Sequence, residues 1–167
     1  LPISSNVQDS GLRNQLSPLK SGIEDHFYPP TTHSMPLSIC GVSEVPAFAT
    51  APIDHIISIK DRTQCGPNLT AFRSDFTLHS FVFDDTGDAA AKHAVTKSAM
   101  KRLLGVYTQT TPESRMLFHC FAGVSRSSAA AFLWLVHHCV SYAQAYEVIV
   151  AIRGPFVCPN QLMVKLA

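Results

Sequence analysis

The chain has few charges, a single tryptophan and no patterned cysteines. Only 15% of its 167 residues are charged and the formal net charge is +1. No broad cationic field is present to hold nucleic acid or acidic lipid, so any anion must be gripped by a local site. The five cysteines (Cys40, Cys65, Cys120, Cys139 and Cys158) form no CxxC pair, which excludes a zinc ribbon and a disulfide framework and fits free thiols in a reducing compartment. No apolar run approaches the roughly 20 residues that span a bilayer, and no basic-then-apolar leader is visible. The expectation is a soluble, cytoplasmic protein with no nucleic-acid or membrane partner and no internal repeat. What the chain does have is core material, since 46% of its residues are apolar. That is enough for one globular domain burying about 70% of its unfolded surface.

Residues 1–35 are rich in Ser, Pro, Asn and Gln and read as an N-terminal arm. Leu12, Leu16, Leu19 and Ile23 fall at helical spacing there, with Pro18 interrupting them. From residue 36 onward, strands and helices alternate. Residues 37–41 (LSICG), 54–59 (DHIISI), 78–83 (LHSFVF) and 115–119 (RMLFH) read as strands. A helical turn is expected over 45–50 and a long amphipathic helix over 89–110. The stretch 127–139 (SSAAAFLWLVHHC) is apolar nearly all round, so it reads as a helix buried in the middle of the domain. Ser141 is placed to cap a helix over 142–152, and Pro159-Asn160 to open a last one. The pattern predicts an α/β domain over 36–167, with a mostly parallel central sheet and helices on both faces.

Chemistry concentrates at residues 115–129, RMLFHCFAGVSRSSA. A strand running through a short loop into a helix start aims several backbone N–H groups at one point, backed by the positive end of the helix dipole. Gly123 allows the tight turn, and Ala122 and Ser125 limit crowding. The loop amides of Phe121, Ala122, Gly123, Val124 and Ser125, with Arg126, form an anion cradle. Cys120 at its mouth is expected to be held as the thiolate, an activated nucleophile. Arg126 offers a planar fork that takes two phosphate oxygens at once, a geometry lysine cannot reproduce. A proton donor for the leaving oxygen must come from a carboxyl group overhanging the cradle. The run Phe83-Asp84-Asp85-Thr86-Gly87-Asp88 is the only acidic cluster suitably placed after a strand.

The segment HCFAGVSRS resembles the signature loop of the dual-specificity-like protein tyrosine phosphatases, with the likeness covering roughly residues 36–167. It implies attack by Cys120 on phosphorus, phosphoryl oxygens bound by the loop amides and Arg126, release of the thiolate aided by the Ser127 hydroxyl, and support of the cysteine by His119. Alignment on Phe83 places the general acid at Asp85, with Asp84 second and Asp88 third. Residues 153–162 (RGPFVCPNQL) are similar to a family segment in which a helix packs beneath the loop, although Gly154 here intervenes between Arg153 and Pro155. The stretches CGVSEVP, DHIISIKD and FVFDD look more like compact bacterial tyrosine phosphatases than long regulatory ones.

The resemblance implies a metal-independent phosphatase, without cofactor, acting on phosphotyrosine, with phosphoserine and phosphothreonine as further candidates, in proteins or peptides through a phosphocysteine. The alternative is a catalytically weak phosphate-binding module using the same cradle. The uncharged loop residues argue against polyphosphorylated lipids and RNA 5′ ends. His137, His138 and Cys139 suggest a metal only at first sight, because adjacent helical residues point in different directions. Packing is the ordinary role for Cys40, Cys65, Cys139 and Cys158, with a redox disulfide from Cys65 or Cys40 to Cys120 left open.

Overall fold

The computed structural model describes residues 36–73 and 75–167; the short helix anticipated before Pro18 and the arm over 1–35 lie outside them. The elements in chain order are β1 (Leu37–Gly41), a 3-10 turn (Val45–Phe48), β2 (His55–Lys60), β3 (Thr77–Val82), α1 (Lys97–Tyr107), β4 (Met116–Cys120), α2 (Arg126–His137), α3 (Tyr142–Arg153) and α4 (Gln161–Leu166). The strands form one sheet in the order β1-β4-β2-β3, with every pair parallel. In its register Gly41 lies opposite Cys120, and Ile57 opposite Phe118.

Strand alternation divides the core in two. Ile39, Ile57, Ile59, Phe81, Met116 and Phe118 face one side, where all four α-helices contribute to a single apolar cluster. Cys40, Ile56 and Leu117 face the other, packed with Val45 and flanked by Phe48, Ile53, Leu69, Phe72 and Phe76. Among the described residues the second face is covered by a 3-10 turn and irregular chain, and the four α-helices lie on the first face, so the flanking helices expected on both sides are found on one. Phe72 and Phe76 meet edge to face at 5.6 Å there, supplying bulk that a helix would otherwise bring.

Helix α2 occupies the centre, as its all-round apolar sequence demands. The Ala129-Ala130-Ala131 run is fully buried and lets the helix approach β4 closely, while Phe132, Leu133, Trp134 and Leu135 fill the space around it. Two polar groups carried inward against it are satisfied: the Tyr107 hydroxyl donates to Ala130 O at 2.7 Å, and Trp134 Nε1 donates to Thr110 Oγ1 at 2.9 Å. Helix α1 is shorter than expected. Residues 89–96 form turns in which Ala91 N bonds Asp88 O and Ala94 N bonds Ala91 O. The Thr96 side chain then accepts from Ala99 N at 3.1 Å and starts the helix at Lys97. Ser141 caps α3 by accepting from Gln144 N, and Asn160 caps α4 by accepting from Met163 N.

Candidate active site

Between β4 and α2 the chain makes the expected loop, and its carbonyls decide what it can do. Each carbonyl from Phe121 to Ser125 is turned outward and bonded. Phe121 O accepts from Val42 N (3.0 Å), Ala122 O from Arg153 Nη2 (3.1 Å), and Gly123 O from Arg153 Nε (3.0 Å). Val124 O accepts from Cys158 N (3.1 Å) and Ser125 O from Asn160 N (3.3 Å) and Ala129 N (2.9 Å). The N–H groups of residues 121–125 bond to no protein acceptor among the described residues. A loop whose oxygens are all engaged outside and whose amides are not is a nest for an anion. Gly123 holds φ at +74° and sits so close to β1 that a Cβ would lie 2.5 Å from Cys40 C and 2.7 Å from Gly41 N. Only glycine fits both constraints.

Cys120, at the end of β4, is buried, with Sγ 3.2 Å from the fully buried Ser127 Oγ in the first turn of α2. Arg126 is also buried. Its Nη1 donates to Phe83 O at 3.0 Å, which orients the guanidinium. Its Nε has no hydrogen-bond partner among the described residues and lies 3.8 Å from Asp85 Oδ2, an ion-pair distance but too long for a hydrogen bond. A buried, charged donor left open beside a ring of free amides suits an oxyanion.

Of the three candidate acids, only Asp85 is brought onto the loop. Its Oδ1 accepts from Ser125 Oγ at 2.7 Å and from Asn160 Nδ2 at 2.8 Å, while the carboxylate remains partly exposed. Asp84 uses its backbone N–H to bond His93 O, and Asp88 turns its carboxylate to Ala90 N.

His119 faces away from Cys120 by strand alternation. Neither ring nitrogen has a hydrogen-bond partner among the described residues, and burial pushes the imidazole down to about 4. Any support it gives Cys120 comes through packing and the shared strand. Cys40 is on that same opposite face, its thiol pushed up to about 12 by burial first and the Glu44 carboxylate second. All five cysteines are free, with Cys65, Cys139 and Cys158 exposed. His138 Nε2 contacts Thr110 Oγ1 at 3.2 Å, whereas His137 is exposed.

Sequence reasoning missed a second tier of this site. Arg153, besides holding two loop carbonyls, pairs through Nη1 with both Glu44 oxygens at 3.2 and 3.0 Å. Glu44 Oε2 in turn accepts from Gly41 N at 2.5 Å, and this bond first, with Arg153, holds its carboxyl below the usual range. The clamp joins residues 109 positions apart, so no local signal betrays Glu44. The Arg153 end was legible in the resemblance, and Gly154 takes up the departure noted there with φ at +86°.

This parallel sheet, loop and buried helix define the fold of the protein tyrosine phosphatase superfamily in its dual-specificity-like form. Among solved structures, the chain is similar to human DUSP28, with 20% identity over 80% of this chain and 89% of that one, at a TM-score of 0.54. It is equally similar to the Cydia pomonella PTP-2 phosphatase, with 21% identity, 78% and 82% coverage and a TM-score of 0.56. A human tyrosine phosphatase-like serine/threonine/tyrosine-interacting protein aligns at 19% identity, 76% and 82% coverage and a TM-score of 0.54. No protein-family model and no curated protein matches the sequence. None of the described helices is long and apolar enough to cross a membrane.

Proposed function

We propose that the chain is a phosphatase that hydrolyses phosphotyrosine, and by the same chemistry phosphoserine or phosphothreonine, in protein or peptide substrates through a phosphocysteine intermediate. The observation that carries this is the loop between Cys120 and Arg126: its carbonyls are bonded outward, while its amides and Arg126 Nε have no protein partner among the described residues. In the first step the Cys120 thiolate attacks phosphorus and the bond from phosphorus to the leaving oxygen breaks. The Asp85 carboxylic acid gives that oxygen its proton. The amides and Arg126 hold the three equatorial oxygens through the transition state. In the second step Asp85, now a carboxylate, takes a proton from water as the water oxygen attacks phosphorus. The S–P bond breaks, the thiolate returns toward Ser127 Oγ, and inorganic phosphate leaves. No step calls on a metal ion or cofactor.

Exposed Phe121 borders the site, and the loop brings no cation besides Arg126. Both features favour an aromatic monoester over a polyanionic ligand. Retention of Cys120, Arg126, Ser127 and an acid on the loop favours turnover over a phosphate reader. The deciding experiment measures hydrolysis of an aryl phosphate and a phosphotyrosine peptide in chelator, with intact-mass detection of acid-trapped phosphoenzyme. Turnover and a phosphoryl adduct on Cys120 are expected, and Cys120→Ser should abolish both. Phosphate binding without turnover would overturn the proposal in favour of a reader.

A further inference from the structure

Among the described residues, strand β3 ends the sheet and pairs on one side only, with β2. Thr77 N bonds Asp54 O and Phe83 N bonds Lys60 O, so the odd-numbered residues turn their backbone groups inward. In a parallel ladder the N–H and C=O of one residue point the same way. Leu78, Ser80 and Val82 therefore present theirs to the outer edge, where none bonds to protein among the described residues. Their side chains are exposed as well, Leu78 at 43% and Val82 at 51%. Such an edge is a template for another strand unless it is blocked.

Along this edge, between β3 and α1, runs a groove of about 380 Å³ lined by Leu78, Phe81, Arg102, Gly105, Val106 and Gln109. Two features of α1 fit it for an occupant. Glycine is, after proline, the least favourable residue for a helix interior, yet a Cβ at Gly105 would meet nothing within 4 Å. Internal packing therefore does not require the glycine, whereas its missing side chain keeps the groove open. The second feature is charge: the helix carries exposed Lys97, Lys101 and Arg102 and no acidic residue. Arg102 reaches over the Phe81 ring at 5.3 Å, at the groove itself.

From the open edge, the groove and its one-signed wall we propose that β3 and α1 form a docking site for an extended acidic segment of a partner protein, added to the sheet as a fifth strand. Main-chain bonds to Leu78, Ser80 and Val82 supply register, apolar side chains cover Leu78 and Val82, and carboxylates face Arg102, Lys101 and Lys97. The site lies outside the phosphate loop and does not depend on the catalytic reading.

The test titrates the whole chain with two acetylated peptides of about nine residues, one alternating Glu with Val and the other Lys with Val, followed by anisotropy and amide chemical shifts. The acidic peptide should bind, with shifts centred on residues 77–82 and 97–109, and should weaken with added salt. Arg102→Glu and Gly105→Leu should each weaken it at least tenfold while leaving aryl phosphate turnover unchanged. Arg102→Glu keeps the test decisive if the larger substitution disturbs folding. Failure of the acidic peptide to bind, equal binding of the basic one, or binding indifferent to Arg102→Glu would overturn the proposal. Concentration-dependent dimerisation with the same shifts would also overturn it, by making a second copy the occupant.

Discussion

Replacing Gly123 by alanine tests the proposed phosphate nest most directly, because two separate costs fall on one small side chain. The backbone there holds φ at +74°, a region that costs an L-residue about 1–2 kcal/mol. The added Cβ would also lie 2.5 Å from Cys40 C and 2.7 Å from Gly41 N, both backbone atoms of a buried strand, and 2.8 Å from Arg153 Nη2. The side chain of Arg153 can shift but β1 cannot, so the loop must withdraw by about 1 Å, enough to cost roughly 10²-fold in rate. Strain and displacement together amount to about 2–4 kcal/mol of stability, or roughly 5–15 °C in Tm. Gly154→Ala is the control. It has φ at +86° with nothing within 4 Å of the new Cβ, so it pays the strain without the clash. Thermal melts, aryl phosphate kinetics and vanadate titration should show both variants destabilised, but only Gly123→Ala losing turnover and anion affinity. Turnover within about threefold of wild type in Gly123→Ala would refute the claim that this close approach shapes the nest.

Asp85→Asn should lower kcat/KM for a phosphotyrosine peptide by roughly 10²–10⁴, much less for an aryl phosphate with a weakly basic leaving group, while Asp84→Asn stays near wild type. The reverse pattern would reassign the acid and leave Cys120 standing. Arg153→Ala, which frees two loop carbonyls, should cost at least about tenfold more turnover than Glu44→Gln, which frees none. Equal losses would mean that the ion pair rather than the carbonyl bonds sets the loop. His119 gives a pH signature. The unfolded imidazole gains its proton near 6.5 but the folded one only near 4, so stability is full above about 6.5 and falls as pH drops toward 4, by about 3 kcal/mol at most. Urea midpoints across that window should fall steeply in wild type and less so in His119→Asn, and parallel lines for the two would contradict the assignment.

Legibility in the sequence followed the range of the interaction. The strands, the caps at Ser141 and Asn160, and buried α2 are set by neighbours a few residues apart, and there the pattern and the structure agree. The overlong α1 shows where pattern fails: Ala89–Ala91 and Val95 carry helical composition, but Asp88 and Thr96 spend side-chain bonds on turns and a cap. The second face of the sheet was unreadable because Phe72 and Phe76 follow no regular period. At the site, Cys120 and Arg126 declare themselves by spacing, and resemblance singled out Asp85 from its neighbours. The contacts of Asp85 with Ser125 and Asn160, and the Arg126 bond to Phe83 O, join positions 40, 75 and 43 apart. Only the folded chain brings such pairs together.

Asn160 serves two masters with one amide. Its Oδ1 caps the N-terminus of the six-residue α4, and its Nδ2 holds Asp85 and the Thr86 carbonyl. A helix this short frays at temperatures well below global melting. When its first turn opens, the amide is free to rotate and Asp85 loses a tether while Cys120 keeps its own. Warming should therefore weaken proton transfer through Asp85 before the protein unfolds. An Arrhenius plot of kcat/KM, which reports the first step, bends downward early for a substrate that needs protonation and stays straight for one that does not until the sheet itself gives way.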